Sequence, residues 1–189
     1  MPLEIEIKAQ VDSHEPVRRQ LQAAGAEYLG CVVEVNRLFD NADGSLRREG
    51  RGLRLRCCRV LDGPARAATL TYKGPLRDSP LKSREEVEFE VNEVDAMGRL
   101  LQSLGYLELV LFEKRRESWR MGNCKIELDE LPRIGCFVEI EGPDEAAILS
   151  VMSRLNLSIE LSIRKSYVEL LAESHPLRGD GPLVARFTE

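Results

Sequence analysis

The 189-residue sequence predicts an α+β fold built on an antiparallel β-sheet. Three observations lead there. Eight segments alternate apolar and polar residues with the two-residue period of a strand, against three clear helical segments and one shorter one. Strands and helices do not take turns as a parallel βαβ sheet requires. On strand after strand, the polar positions carry charges rather than neutral side chains.

The first strand, Glu4–Val11, holds the run Glu4-Ile5-Glu6-Ile7-Lys8. A helix follows from Ser13 to Ala24, capped by Asp12 or Ser13 and stopped at Gly25, with Val17, Leu21 and Ala24 on one face. Strands follow over Val32–Phe39, Gly52–Cys58, Ala68–Lys73 and Arg84–Val91, separated by the turn signals Asn41-Ala-Asp-Gly44, Gly63-Pro64 and Gly74-Pro75. A second helix spans Val94–Leu104, ends at Gly105 and carries Met97, Leu100, Leu101 and Leu104 as its apolar stripe. Asn92 and Asp95 form a capping pair at its start. Strands Leu111–Arg120 and Cys124–Asp129 flank Met121-Gly122-Asn123, which reads as a tight hairpin. The last strand of the eight is Cys136–Glu141. A third helix, Pro143–Leu155, opens on proline and aligns Ile148, Val151, Met152 and Leu155. A short fourth helix covers Lys165–Leu171. Residues 1–172 read as one domain and 173–189 as a tail, from which Leu183–Phe187 could dock as a terminal strand.

A shift of 80 residues superposes Glu6 on Glu86, Ile7 on Val87, Val11 on Val91, Leu21 on Leu101 and Gly25 on Gly105, which suggests two β-α-β halves related by approximate two-fold symmetry.

Composition narrows the function classes. Hydrophobic residues make up 43%, enough for one buried core but not two, and the net charge of −5 argues against a dedicated nucleic-acid binder. No apolar run approaches membrane-spanning length and no signal peptide is apparent, so a cytoplasmic location is expected. Five cysteines without a CxxC pair read as reduced thiols. The two histidines, His14 and His175, read as surface residues, which leaves little for mechanisms built on a histidine base.

Sorting each strand by parity collects Glu4, Glu6 and Lys8 on one face. Arg54 and Arg56, Thr69, Thr71 and Lys73, Arg84, Glu86, Glu88 and Glu90, Lys114 and Arg116, Glu127 and Asp129, and Glu139 and Glu141 collect likewise. Two architectures accommodate this. One is a sheet with helices on one face and water on the other. The other is an eight-stranded closed barrel with the charged faces inside and the apolar faces under helices. Segregation of carboxylates on the first and last strands from cations on the middle ones favours the barrel. Its interior would need a compensating ligand, such as a polyanion with divalent metal.

Glu4-x-Glu6-x-Lys8 resembles the ExExK signature of the CYTH family, the triphosphate tunnel metalloenzymes. Further motifs resemble the family's in order: Arg54-x-Arg56, Tyr72-Lys73-Gly-Pro, Arg84-x-Glu86-x-Glu88, Lys114-x-Arg116, the pair Asp129 and Glu139-x-Glu141, and Ser166-Tyr167-x-x-Leu170-Leu171.

The resemblance implies an eight-stranded tunnel for linear triphosphate. On it, Glu4, Glu6, Asp129, Glu139 and Glu141 are the candidate ligands of Mg²⁺ or Mn²⁺. Lys8, Arg54, Arg56, Lys73, Arg84, Lys114, Arg116 and Lys165 are the candidate phosphate ligands. Glu4, Glu6, Lys8, Arg56, Lys73 and Glu139 form the expected catalytic core. Glu86 and Glu88 would orient the cations or help hold the metal, while Arg120 and Lys125 read as solvated. The implied activity is a triphosphatase acting on tripolyphosphate, ATP or thiamine triphosphate. The alternative is a class IV adenylate cyclase, and a non-catalytic phosphate-binding module ranks last. Pairing of two barrels into a homodimer is left open. Arg56→Ala is expected to weaken triphosphate binding and to relieve like-charge crowding in the protein alone.

Overall fold

The computed structural model describes residues 3–60, 68–78, 81–174 and 181–188, with the side chains of residues 3, 4 and 60 outside the description. The turn at Gly63-Pro64 and His175 lie outside the described residues.

Each alternating segment finds two antiparallel neighbours. The strands are β1 (Leu3–Val11), β2 (Glu27–Asn41), β3 (Gly52–Val60), β4 (Ala68–Lys73), β5 (Lys82–Val91), β6 (Tyr106–Met121), β7 (Cys124–Leu131) and β8 (Gly135–Glu141). They run β2-β3-β4-β5-β1-β8-β7-β6, and β6 pairs back onto β2 to close an eight-stranded barrel. Closure removes the free edges an open sheet would expose. A short ninth strand, β9 (Leu183–Ala185), adds to β6 in parallel at Val110–Phe112, where the expected terminal strand docks.

β2 and β6 outrun their predicted ranges because they pair with each other from Glu27↔Arg120 to Asn41↔Tyr106, with register shifts at Tyr28/Gly30 and Leu38/Phe39. The β6–β7 hairpin has Met121 opposite Cys124, and Gly122 takes φ +59°, the positive φ that a two-residue hairpin turn demands.

The helices are α1 (Glu15–Ala23), α2 (Ser45–Arg48), α3 (Val94–Ser103), α4 (Glu145–Arg154) and α5 (Tyr167–Ser174). α2 falls in a stretch that the sequence reads as loop. Buried Asp40 creates it by accepting from the backbone N–H groups of Leu46 and Arg47 at 2.9 and 3.2 Å. Asp144 caps α4 by accepting from Ala147 N at 2.8 Å.

The apolar core lies between the barrel's outer wall and these helices. α1 and α4 bring Val17, Leu21, Ile148, Val151 and Met152 onto Ile7, Trp119, Ile126 and Ile140. α3 brings Leu101, with Val94 and Met97, onto Phe39, Leu55 and Leu70. Its predicted stripe is rotated, since Leu100 and Leu104 are exposed. α5 differs from the others: it closes one end of the bore, where Tyr167 and Leu171 join Phe112, Leu131, Phe137 and Leu183.

The internal repeat is visible in the pairing. Apart from α2, β1-α1-β2-β3-β4 and β5-α3-β6-β7-β8 are connected alike, and each half's first strand pairs with the first and last strands of the other half. The cover is not symmetric. Ile7 and Ala9 are buried, whereas their counterparts Val87 and Phe89 on β5 are 44% and 52% exposed.

The five cysteines are free thiols, and among the described residues no helix is long and apolar enough to cross a membrane. His14 is half-buried rather than a surface residue, its Nε2 lying 3.1 Å from the carbonyl oxygen of Phe137.

α1 is clamped to β6 by charge. Arg18 donates to both oxygens of Glu117 at 2.8–3.2 Å, and Trp119 Nε1 donates to the same carboxylate at 2.8 Å. Burial would raise the Glu117 carboxyl, but the bonds from Arg18 and Trp119 hold it below its ordinary value. A carboxyl with a depressed folded pKa stabilises above its unfolded pKa and loses that contribution as pH falls through the folded one. Glu117→Gln should therefore cost about 1–3 kcal/mol at pH 7 in urea unfolding. The gap from the wild type should close as the pH falls below the usual carboxylate range.

Candidate active site

The bore is lined by the inward positions of the eight strands, and most of the predicted residues meet there. At its centre is Asp129, fully buried on β7. It accepts from Arg116 at 2.7 and 2.6 Å, from Lys114 at 3.2 Å and from the Tyr167 hydroxyl at 2.8 Å. Arg116 also reaches Glu139 at 2.7 Å, and Lys114 reaches Glu34 at 3.2 Å. Arg56 contacts Glu34 at 3.3 Å and Glu88 at 3.4 Å, and Arg54 lies 3.8 Å from Glu88. Lys73 pairs with Glu86 across β4 and β5. Lys8 is buried 3.9 Å from Glu139, with its ammonium 4.2 Å over the Tyr167 ring. Glu6 holds Lys82 at 3.0 Å.

Glu86 thus faces Lys73, and Glu88 faces Arg54 and Arg56. Glu88 also accepts from Thr71 at 2.6 Å. Arg84 is half-buried on the inward face of β5, opposite Glu4. The Glu4 side chain lies outside the described residues. Glu141 is exposed and sits in register with Glu6 and Lys125, toward the open end. Arg120 and Lys125 are largely solvated, as their place near the hairpin predicts. Lys165 is not brought into the bore. It is exposed and pairs with Glu173 at 2.6 Å, because the turn before α5 faces it away from Tyr167.

Electrostatics follow from burial. Desolvation would raise Glu34, yet Lys114, Arg116 and Arg56 hold its carboxyl well below the ordinary range. Burial and the nearby Glu6 push Glu139 upward, but Arg116, Lys114 and Lys8 outweigh them and leave it lowered. Burial lowers Lys8 to about 8, against the opposing pull of Glu139. Arg54 is lowered by burial and by the like charge of Arg56. These are the signs of cations crowded in low dielectric, which a polyanion would relieve.

Three inward residues, Glu34, Asn36 and Lys82, lie outside the sequence reading, and a fourth, Tyr167, enters it only as a motif residue without a role. Glu34 and Asn36 follow the alternation of Val32–Phe39, two residues apart on one face of β2. Lys82 lies two residues before Arg84 on the same face. Tyr167 enters from a helix, and no strand parity could reveal it. Asn36 is 1% exposed, and neither its oxygen nor its nitrogen finds a hydrogen-bond partner among the described residues. Such a buried amide costs about 1–3 kcal/mol.

A closed antiparallel barrel with carboxylates set against cations along its bore is the architecture that the ordered motifs imply. The chain belongs to the CYTH family, whose CYTH domain matches residues 2–172. It is 29% identical over 177 residues to MJ0240, a candidate adenylate cyclase of Methanocaldococcus jannaschii, covering 89% of this chain and 98% of the relative. PH1819 of Pyrococcus horikoshii superposes with a TM-score of 0.78 at 29% identity, over 90% of this chain and 99% of that one. HpAC1 of Hippeastrum, a candidate adenylyl cyclase that reveals a dominant triphosphatase activity, superposes with a TM-score of 0.68 at 21% identity, over 94% and 98%. At that identity the likeness speaks to the fold. CYTH proteins are enzymes, adenylate cyclases and triphosphatases among them, and both activities use triphosphate substrates.

The family is metal-dependent in general. The oxygen donors of Glu6, Glu139 and Glu141, on the adjacent strands β1 and β8, suit a hard divalent cation. They are not a preassembled cage: among the described residues no three acidic, histidine or cysteine side chains converge as one, and Glu6 and Glu139 are turned toward Lys82 and Arg116.

Truncating Asp129 would leave buried Arg116 and Lys114 without their shared anion. Asp129→Ala should cost about 3–5 kcal/mol in chemical unfolding, with faster amide exchange in α5 as Tyr167 loses its acceptor.

Proposed function

We propose that the protein is a divalent-metal-dependent triphosphatase that releases orthophosphate from a linear triphosphate: tripolyphosphate, ATP or thiamine triphosphate. The observation that carries this reading is the shape of the bore. Its cation-lined stretch ends against the apolar cluster of Phe112, Leu131, Phe137 and Tyr167, while Glu88, Lys125 and Glu141 at the other end are open to solvent. A triphosphate bearing an organic group would enter phosphoryl end first, which presents its terminal phosphorus to the buried charges.

Phosphoryl transfer needs charge neutralisation and alignment more than a strong base. Arg54, Arg56, Lys73, Lys114 and Arg116 would hold phosphate oxygens, with Lys8 and Arg84 beside them, and the arginines can do so with two donors each. Each would exchange a carboxylate partner for a phosphate oxygen, so Glu34, Glu86 and Glu88 would act as internal counter-ions that keep the cations in place. Glu6, Glu139 and Glu141, with Glu4, would hold Mg²⁺ or Mn²⁺, and Asp129 would anchor the cations behind them. A metal so bound supplies charge neutralisation and a more acidic water. The five free thiols accord with a cytoplasmic location.

A second reading, a cyclase in which the ribose 3′-hydroxyl attacks the α-phosphorus of ATP, is supported by the adenylate cyclase name of MJ0240. The two separate on products. Incubation with Mg²⁺ or Mn²⁺ should release orthophosphate from tripolyphosphate and no cyclic AMP from ATP. Cyclic AMP with pyrophosphate as the main products would overturn the triphosphatase reading.

Glu6→Gln should raise the metal concentration needed for half-maximal turnover roughly 10–100-fold, read from metal titrations of initial rate. Arg56→Ala should weaken tripolyphosphate binding by about 1.5–3 kcal/mol in calorimetry. It should not stabilise the protein alone, because the ion pairs to Glu34 and Glu88 offset the crowding that the sequence suggested.

A further inference from the structure

Asn36 occupies the inward face of β2, two residues beyond Glu34, opposite Arg56 on β3 and Phe112 on β6. It therefore stands where the cations meet the apolar plug. It is almost wholly buried, with both amide heavy atoms unpartnered among the described residues, although the donors Arg56 and Lys114 are spent on nearby Glu34. Buried polar groups are nearly always paired, so an exception aimed into a bore points to a ligand. The amide also offers what the charged residues of this part of the bore lack. Arg and Lys only donate, and the carboxylates here are already engaged by them, whereas an amide places a neutral acceptor beside a donor. Phosphoryl oxygens require donors alone. A water about to attack phosphorus requires an acceptor to turn its lone pair inward.

Resting on the triphosphatase reading, we infer that Asn36 contacts the terminal phosphoryl group of the triphosphate and orients the attacking water, its Nδ2 donating to a phosphoryl oxygen while its Oδ1 accepts from the water. The water oxygen bonds to the terminal phosphorus as the bond from that phosphorus to the bridging oxygen breaks. The bridging electron pair leaves with the diphosphate, and the water proton passes to an oxygen of the departing orthophosphate. The amide aligns and takes no proton.

The test uses the full chain with tripolyphosphate, comparing the wild type with Asn36→Leu, of similar size and without polar atoms. Turnover is read as orthophosphate release with Mg²⁺ or Mn²⁺, binding by calorimetry in EDTA, and stability as Tm. The expected result is a roughly 100-fold loss of kcat, a Kd weakened by no more than about tenfold through loss of the phosphoryl contact, and a Tm no lower. That combination is not what a structural role produces, since a packing residue would lower Tm. A kcat within about threefold of the wild type overturns the role of Asn36 and leaves the triphosphatase reading standing. So does a loss confined to Kd. If Asn36→Leu does not fold, Asn36→Ala is judged by the same kcat and Kd limits. A wild type that releases no orthophosphate overturns the triphosphatase reading, and this inference with it.

Discussion

The pair between Arg116 and Asp129 is the contact on which the interior depends. Asp129 is fully buried and Arg116 nearly so, and an ion in either place is tolerable only when paired. Around it the rest is arranged by exclusion. Asp129 draws in Lys114 and the Tyr167 hydroxyl, so one carboxylate ties β6 to β7 and fixes α5 at the end of the barrel. Arg116 reaches on to Glu139 and thereby links β6 to β8. Apolar packing outside the wall stabilises the barrel, and this pair sets the pattern of charge within it.

An interior so paired has a particular energetic character. Buried ion pairs recover the cost of desolvation only when geometry and further hydrogen bonds are good, so they are weak evidence for stability. Their arrangement here makes sense as readiness. Lys8, Arg56, Lys73, Lys114 and Arg116 each have a carboxylate partner in the folded chain, so a polyanion that replaced those carboxylates would meet cations whose ordering cost is met in folding rather than in binding.

Strand parity was enough to read the wall and most of the bore. Glu6, Lys8, Arg54, Arg56, Lys73, Lys114, Arg116, Asp129 and Glu139 all follow from alternation together with the motifs. Glu34 and Asn36 obey the same rule and were within reach of it. Lys165 and Tyr167 were not, because a helical period does not say which face meets the end of a barrel: the structure turns the tyrosine in and the lysine out. The exposed Val87 and Phe89 show another limit. Alternation marks a face as apolar, but whether anything covers it depends on which connections are long enough to form a helix.

The ring closure also sets an order of events as the chain is made. β1 emerges first, yet its two neighbours are β5 and β8, whose pairing residues begin at Lys82 and Cys136. The opening strand, with its charged face, has no partner until β5 is made some 80 residues later, and none on its other side until β8. α5 and β9, which seal the apolar end, come later still. A nascent chain of this topology therefore carries an unpaired amphipathic strand for longer than a hairpin-first barrel would, and its dominant long-range pairings place it among slow-folding architectures. The charges that line the finished bore serve an earlier purpose on that waiting strand: they keep it hydrated and discourage it from pairing with the wrong edge.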